Sequence, residues 1–127
     1  MRTVDMKKIL AQKLEEEGTY FRYNDISIKK ATREVEGAWD EELDDFGTKK
    51  AEGYLVVIKD YEHIRFFIHT EHDNYFGNVV FVTRVNYYAG NEVCSNVIEM
   101  VDSKHRDFDS LTRESLIKLG YYIAQRF

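Results

Sequence analysis

The sequence predicts an α+β domain: an antiparallel sheet of about five to six strands flanked by an N-terminal and a C-terminal helix, with an acidic insertion after the first strands. Three observations lead there. Apolar residues recur at three- and four-residue spacing near both ends of the chain, the helical period. Between the ends the period is two, as in strands with one buried face. The links between the later strands are only a few residues long, whereas a parallel crossover needs a dozen or more, so neighbouring strands must run antiparallel. With 127 residues, the chain is expected to form a single domain, residues 1–127, because one hydrophobic core typically serves roughly 100–150 residues.

The first helix is expected over residues 4–17. Met6, Ile9, Leu10 and Leu14 share one face, and Gly18 stands where a left-handed cap ends a helix. From Thr19 the period becomes two. Phe21 and Tyr23 alternate with Tyr20 and Arg22, then Ile26 and Ile28 with Ser27 and Lys29, and Asn24-Asp25 reads as a turn or bulge between two strands. Residues 54–59, 64–70, 79–88 and 93–101 read as four further strands, rich in β-branched and aromatic side chains, with Ala89-Gly90-Asn91-Glu92 as a hairpin link. Asp107 or Asp109 is positioned to cap the last helix, whose apolar stripe is Leu116, Leu119, Ile123 and Phe127. Gly120 within that stripe costs about 1 kcal/mol relative to alanine, so it is read as a close approach to the sheet.

Alternation also assigns faces. Arg65, Phe67, His69 and Glu71 oppose Ile64, Phe66, Ile68 and Thr70, while Val79, Phe81, Val85 and Tyr87 oppose Val80, Val82, Arg84 and Asn86. Both faces carry aromatic and aliphatic groups, more than one helical layer covers. A second layer, a folded-over insertion or a partner chain is needed to shield the remainder.

Composition excludes several classes. The apolar fraction of 43% is that of a globular chain rather than a disordered one. No apolar run reaches the roughly 20 residues of a membrane span, and no signal-like segment opens the sequence. The single cysteine, Cys94, forms no internal disulfide, which suits a cytoplasmic setting. Alternation places Cys94 on an apolar-leaning face as buried packing rather than as a nucleophile.

Reactive constellations are sparse. The run His69-Thr70-Glu71-His72-Asp73 holds metal-ligand types, but a strand end and hairpin tip splay its two histidines, and only His63 and His105 remain as further histidines. The segment is therefore read as a polar hairpin tip with no metal. The serines lack a nucleophile elbow, the glycines form no phosphate-cradling loop, and Lys104-His105-Arg106 reads as a surface cluster. No catalytic residue and no cofactor is assigned.

Charge is where the chain departs from the ordinary. Of a net −5, residues 34–52 carry eight acids against two bases, leaving the remainder close to neutral. Within that stretch Trp39, Leu43 and Phe46 stand at helical spacing among Asp40, Glu41, Glu42, Asp44 and Asp45. As a helix the segment would present an apolar stripe edged with carboxylates; as a loop it would not, and the sequence leaves the choice open. The stripe either docks on the domain's own sheet or anchors a partner. Glu36, Trp39, Asp40, Glu41, Glu42, Asp44, Asp45 and Phe46 are the residues assigned to partner binding.

In size, local acidity and absence of reactive groups, the chain is similar to small phage anti-defence inhibitors, including anti-CRISPR proteins, and to the immunity proteins of bacterial toxins. That resemblance rests on make-up alone and transfers no residue. It implies a non-enzymatic inhibitor that contacts the basic groove of a nucleic-acid-handling protein such as a nuclease or a CRISPR effector. Direct nucleic-acid and membrane contact are not expected, since the body of the chain lacks a positive stripe. Two alternatives belong to other classes. One is a domain that binds or hydrolyses an anionic small ligand between sheet and helices through Arg65, His69, Arg84 and Tyr88. The other is a structural homodimer.

Overall fold

The computed structural model describes all 127 residues, Met1–Phe127. Helix α1 (Thr3–Glu16) leads through a 3₁₀ turn (Tyr23–Asp25) into β1 (Ile26–Asp40), β2 (Asp45–Ile58), β3 (Ile64–Asp73), β4 (Gly77–Tyr88) and β5 (Asn91–Ser103), and helix α2 (Phe108–Arg126) closes the chain. Each strand pairs antiparallel with the next, so the sheet is a meander with β1 and β5 at its edges. This is the α+β architecture expected from the periodicities. No helix is long and apolar enough to cross a membrane.

Both helices lie on one face of the sheet. Met6, Leu10 and Leu14 of α1 and Leu116, Leu119 and Ile123 of α2 are buried against Ile28, Val56, Ile58, Phe66, Ile68, Val80 and Val82. The end of α1 is fixed by backbone geometry: Gly18 at φ 78° receives the turn, and the Gly18 and Thr19 N–H groups donate to Glu15 O and Leu14 O. That pairing satisfies carbonyls the helix would otherwise leave open. Of the two candidate caps for α2 it is Asp107 that serves, its side chain accepting from the Ser110 N–H at 2.8 Å. Asp109 instead pairs with the N-terminal ammonium at 3.1 Å.

Gly120 does mark a close approach, but to α1 rather than to the sheet. A Cβ there would stand 2.6 Å from Lys13 Cγ and 2.9 Å from Lys13 Cβ. The glycine lets the aliphatic stem of Lys13 lie on α2, while its ammonium pairs with Glu17 at 2.8 Å.

Three local readings are corrected. Residues 20–23 form no strand. The Arg22 N–H donates to the Asp25 carboxylate at 2.9 Å, and the Arg22 guanidinium donates to Thr19 O and Phe21 O. These local bonds hold the chain in a turn in spite of its alternating pattern. The sheet therefore has five strands, and one strand, not two or three, precedes the acidic stretch. That stretch, which the sequence left open between helix and loop, is the end of a long β1–β2 hairpin. Cys94 is exposed. Bulges between Val82 and Thr83 and between Asn86 and Tyr87 put extra residues into β5, and each one flips the alternation on which the buried reading depended.

The second face is covered by the sheet itself. In a flat sheet the edge strands β1 and β5 would lie roughly 19 Å apart, four spacings of about 4.8 Å. An arginine and a glutamate cannot bridge that distance, yet Arg33 of β1 is ion-paired with Glu92 at the start of β5. The sheet must therefore curl away from the helices so that its edges approach each other. Inside the curl Phe67, Val79 and Val85 are buried, and the Arg65 guanidinium lies 4.2 Å above the Tyr87 ring.

The Gly120 contact yields a test. Changing Gly120→Ala gains about 1 kcal/mol in helix propensity but overpacks Lys13 by roughly 2 kcal/mol, for a net loss of about 1 kcal/mol. Denaturant midpoints of the two proteins measure the difference.

Candidate functional site

Two features stand out: the free end of the β1–β2 hairpin and the cleft inside the curl. The hairpin is an arm. β2 pairs with β3 only from Gly53 to Val57, so residues 45–52 have β1 as their sole strand neighbour. At the tip the acids themselves shape the turn. Asp40 Oδ1 accepts from the Glu42 and Leu43 N–H groups at 2.9 and 3.4 Å. Asp44 adopts φ 51°, a conformation that aspartate tolerates better than most residues. Asp45 Oδ1 accepts from the Phe46 N–H at 2.7 Å.

This turn explains why the helical spacing of Trp39, Leu43 and Phe46 does not make a helix. Trp39 and Phe46 are instead a cross-strand pair, edge to face with ring centroids 5.1 Å apart. A bulge between Glu36 and Trp39 adjusts the register below them. The apolar residues stay together by another route, and they are not packed away: Trp39 is 50% exposed, Leu43 68% and Phe46 50%. The structure thus brings Trp39, Asp40, Glu41, Glu42, Asp44, Asp45 and Phe46 to one tip, with Glu36 lower on the arm. None of these carboxylates has an ion-pair partner in the chain.

The cleft has a volume of about 680 Å³ and is lined by residues of all five strands. Register explains its composition. On the concave side β2 presents Gly53 opposite His69 and Ala51 opposite Arg33, so the second strand contributes almost no side-chain bulk. A Cβ at residue 53 would meet Ile68 O at 2.2 Å and the Phe67 ring at 2.9 Å, so only glycine permits the close strand contact and lets Phe67 lean across. His69 is 4% exposed and lies between two phenyl rings, with Phe67 at 5.5 Å and Phe81 at 5.1 Å, both stacked. Its Nε2 meets Glu71 Oε2 at 2.9 Å, and Glu71 is also ion-paired with Lys49 on the arm.

Burial alone would raise the Glu71 pKa. The hydrogen bonds from Lys49 and His69, with their charges, more than reverse this and hold it below the ordinary value of 4.5. Glu71 is therefore an acceptor-only carboxylate, and it fixes the proton of His69 on Nε2.

The sequence did not foresee this grouping. Arg33 and Lys49 became part of it only through the curl and the hairpin, although like parity of Arg33, Ala51, Gly53, His69 and Glu71 across adjacent strands was a usable signal. The ligand site expected between sheet and helices is not formed. Arg84 is on the helix side, donating to Tyr122 Oη at 2.9 Å. Arg65 covers Tyr87, and Tyr88 is exposed near the β4–β5 turn. Of that set only His69 reaches the cleft. His72 bonds to Asn78 instead, and no three His, Cys, Asp or Glu side chains come together as a metal site. Compared with known proteins, the chain matches no family model, no curated protein and no solved structure.

The Glu71 contacts set an acid dependence. A carboxyl whose folded pKa is lowered contributes stability above its unfolded pKa and loses that contribution as pH falls through the folded value. The parent protein is expected to be more stable than Glu71→Gln at neutral pH. The gap closes as the pH drops below about 4.5, as read from urea midpoints across that range.

Proposed function

We propose that the chain is a non-enzymatic protein that docks through its β1–β2 hairpin onto a basic partner protein. The observation that carries this reading is the tip: an aromatic pair and a leucine, each half exposed or more, ringed by carboxylates with no cationic partner of their own. Leaving such apolar surface in water has a solubility cost that a free-standing domain has no reason to bear. The charges suit a groove lined by Lys and Arg, where complementary potentials accelerate encounter and aromatic anchors slow departure. A cationic groove is what a nucleic-acid-handling protein offers. Occupying it makes the chain an inhibitor, in keeping with the make-up shared with phage anti-defence and immunity proteins.

Isosteric amides separate charge from fold here, because Asn and Gln keep the turn's acceptor oxygens. The variant D40N/E41Q/E42Q/D44N/D45N is expected to keep the parent circular dichroism. Its association with the partner captured by the parent protein falls at least about tenfold, and the parent's own association weakens steeply with salt. Trp39 is the single tryptophan, so its emission reports the contact directly, and a blue shift is expected on complex formation. Capture that survives the five substitutions, or a complex that leaves the Trp39 emission unmoved, overturns the reading.

A further inference from the structure

Two buried side-chain nitrogens in the whole protein lack a hydrogen-bond partner, Arg33 Nε and His69 Nδ1. Both residues line the same cleft. Buried polar groups in folded proteins are satisfied with few exceptions, and two exceptions facing one cavity call for a common cause. Arg33 is otherwise well engaged: one terminal nitrogen donates to Glu34 O at 3.2 Å and the other is paired with Glu92. A guanidinium has no acceptor, so only an acceptor can satisfy Nε. His69 has its Nε2–H committed to Glu71, which leaves Nδ1 as a lone-pair acceptor, so a ligand that satisfies both atoms brings an acceptor oxygen to Arg33 and a hydrogen-bond donor to His69.

The two side chains are arranged to meet. Arg33 on β1 and His69 on β3 rise from strands about 10 Å apart, two spacings. Between them β2 presents only Ala51 and Gly53, so no bulky group intervenes. Charge inside the cleft is balanced, Arg33 against Glu92 and Lys49 against Glu71. Glu36 and Asp73 on its lining are exposed and screened by water. Thr83, Ser95 and Asn96 supply neutral hydrogen-bonding groups. At about 680 Å³ the space is in the range of small-molecule sites, roughly 300–1,000 Å³.

We infer that the concave cleft binds a small oxyanion that also carries a hydroxyl, of the hydrogen-phosphate type, an unprotonated oxygen accepting from Arg33 Nε–H and the hydroxyl donating to His69 Nδ1. The inference does not rest on hairpin docking and needs no protein partner to be tested. The test is an NMR titration of the intact chain at constant ionic strength, following the Arg33 Nε–H and His69 ring resonances. One arm uses sodium phosphate and the other sodium acetate, which at neutral pH has no donor for His69 Nδ1, with sodium chloride as the reference. A saturable shift of both residues is expected at millimolar phosphate, with acetate at least about tenfold weaker. The His69 shift disappears in Arg33→Gln. His69→Phe keeps the aromatic stack, and with it the fold, but binds about tenfold more weakly. Arg33→Lys keeps a cation for Glu92 but has no Nε–H, and binds about tenfold more weakly, a loss that a purely structural Arg33 would not produce. No saturable shift with phosphate, acetate binding as tightly as phosphate, or an unchanged response in Arg33→Gln and His69→Phe, overturns the inference.

Discussion

A sheet has two faces, and two helices cover one of them. Everything distinctive in this protein follows from how the other face is buried. Phe67, Val79 and Val85 are out of water there, and full burial of such side chains contributes about 1.5–3 kcal/mol each. The Arg33–Glu92 pair that joins the edges has partners about 18% and 39% exposed, and pairs of that kind contribute about 1 kcal/mol or less. The curl is therefore driven by apolar burial, and the ion pair sets where the edges meet. Bulges in β1 and β5 and the side-chain-free position at Gly53 make the bend sterically attainable.

Local periodicity made most of the framework legible. The apolar stripes of both helices, the Schellman end at Gly18, the β3 and β4 strands and the surplus of apolar groups on the second sheet face were all readable, because each depends on neighbours a few residues away. What was misread or left open has a different origin. At residues 20–23 the alternation was genuine, but side-chain bonds from Arg22 and Asp25 captured the backbone first. At residues 39–46 helical spacing was genuine too, but Asp40 and Asp44 chose a turn, and a hairpin brought the same apolar residues together across strands. Cys94 was misplaced because bulges reset the alternation. The cleft was hidden for the deepest reason: it exists only after β1 and β5 meet, a contact between residues 33 and 92 that no local window contains.

The hairpin arm and the curled body are built to different standards. Residues of the body, apart from the exposed stretch 91–97 of edge strand β5, have strand neighbours on both sides or helices behind them. Residues 45–52 have one strand neighbour and few buried contacts, so the arm draws on less cooperative stabilisation than the rest of the sheet. It is tied back at Lys49 by Glu71, one exposed pair that contributes little on its own. A segment of this kind suits a docking element, because it presents apolar anchors without exposing the core that holds the domain together.

The arm and the cleft are not separate parts. Glu36, Phe46 and Lys49 belong to the arm and also line the cleft, and Lys49 reaches His69 through Glu71. Whatever occupies the cleft restrains the arm, and whatever grips the tip restrains the cleft wall. Thermodynamic linkage then requires that the two events alter each other's affinity by the same factor. Restraint of the arm in its docking-competent form lowers the ordering cost of partner binding, which gives positive coupling. Displacement of Phe46 from the cleft wall would give the opposite sign. The T-shaped Trp39–Phe46 contact decides between them, since a partner that packs on Trp39 without breaking that pair leaves Phe46 in place.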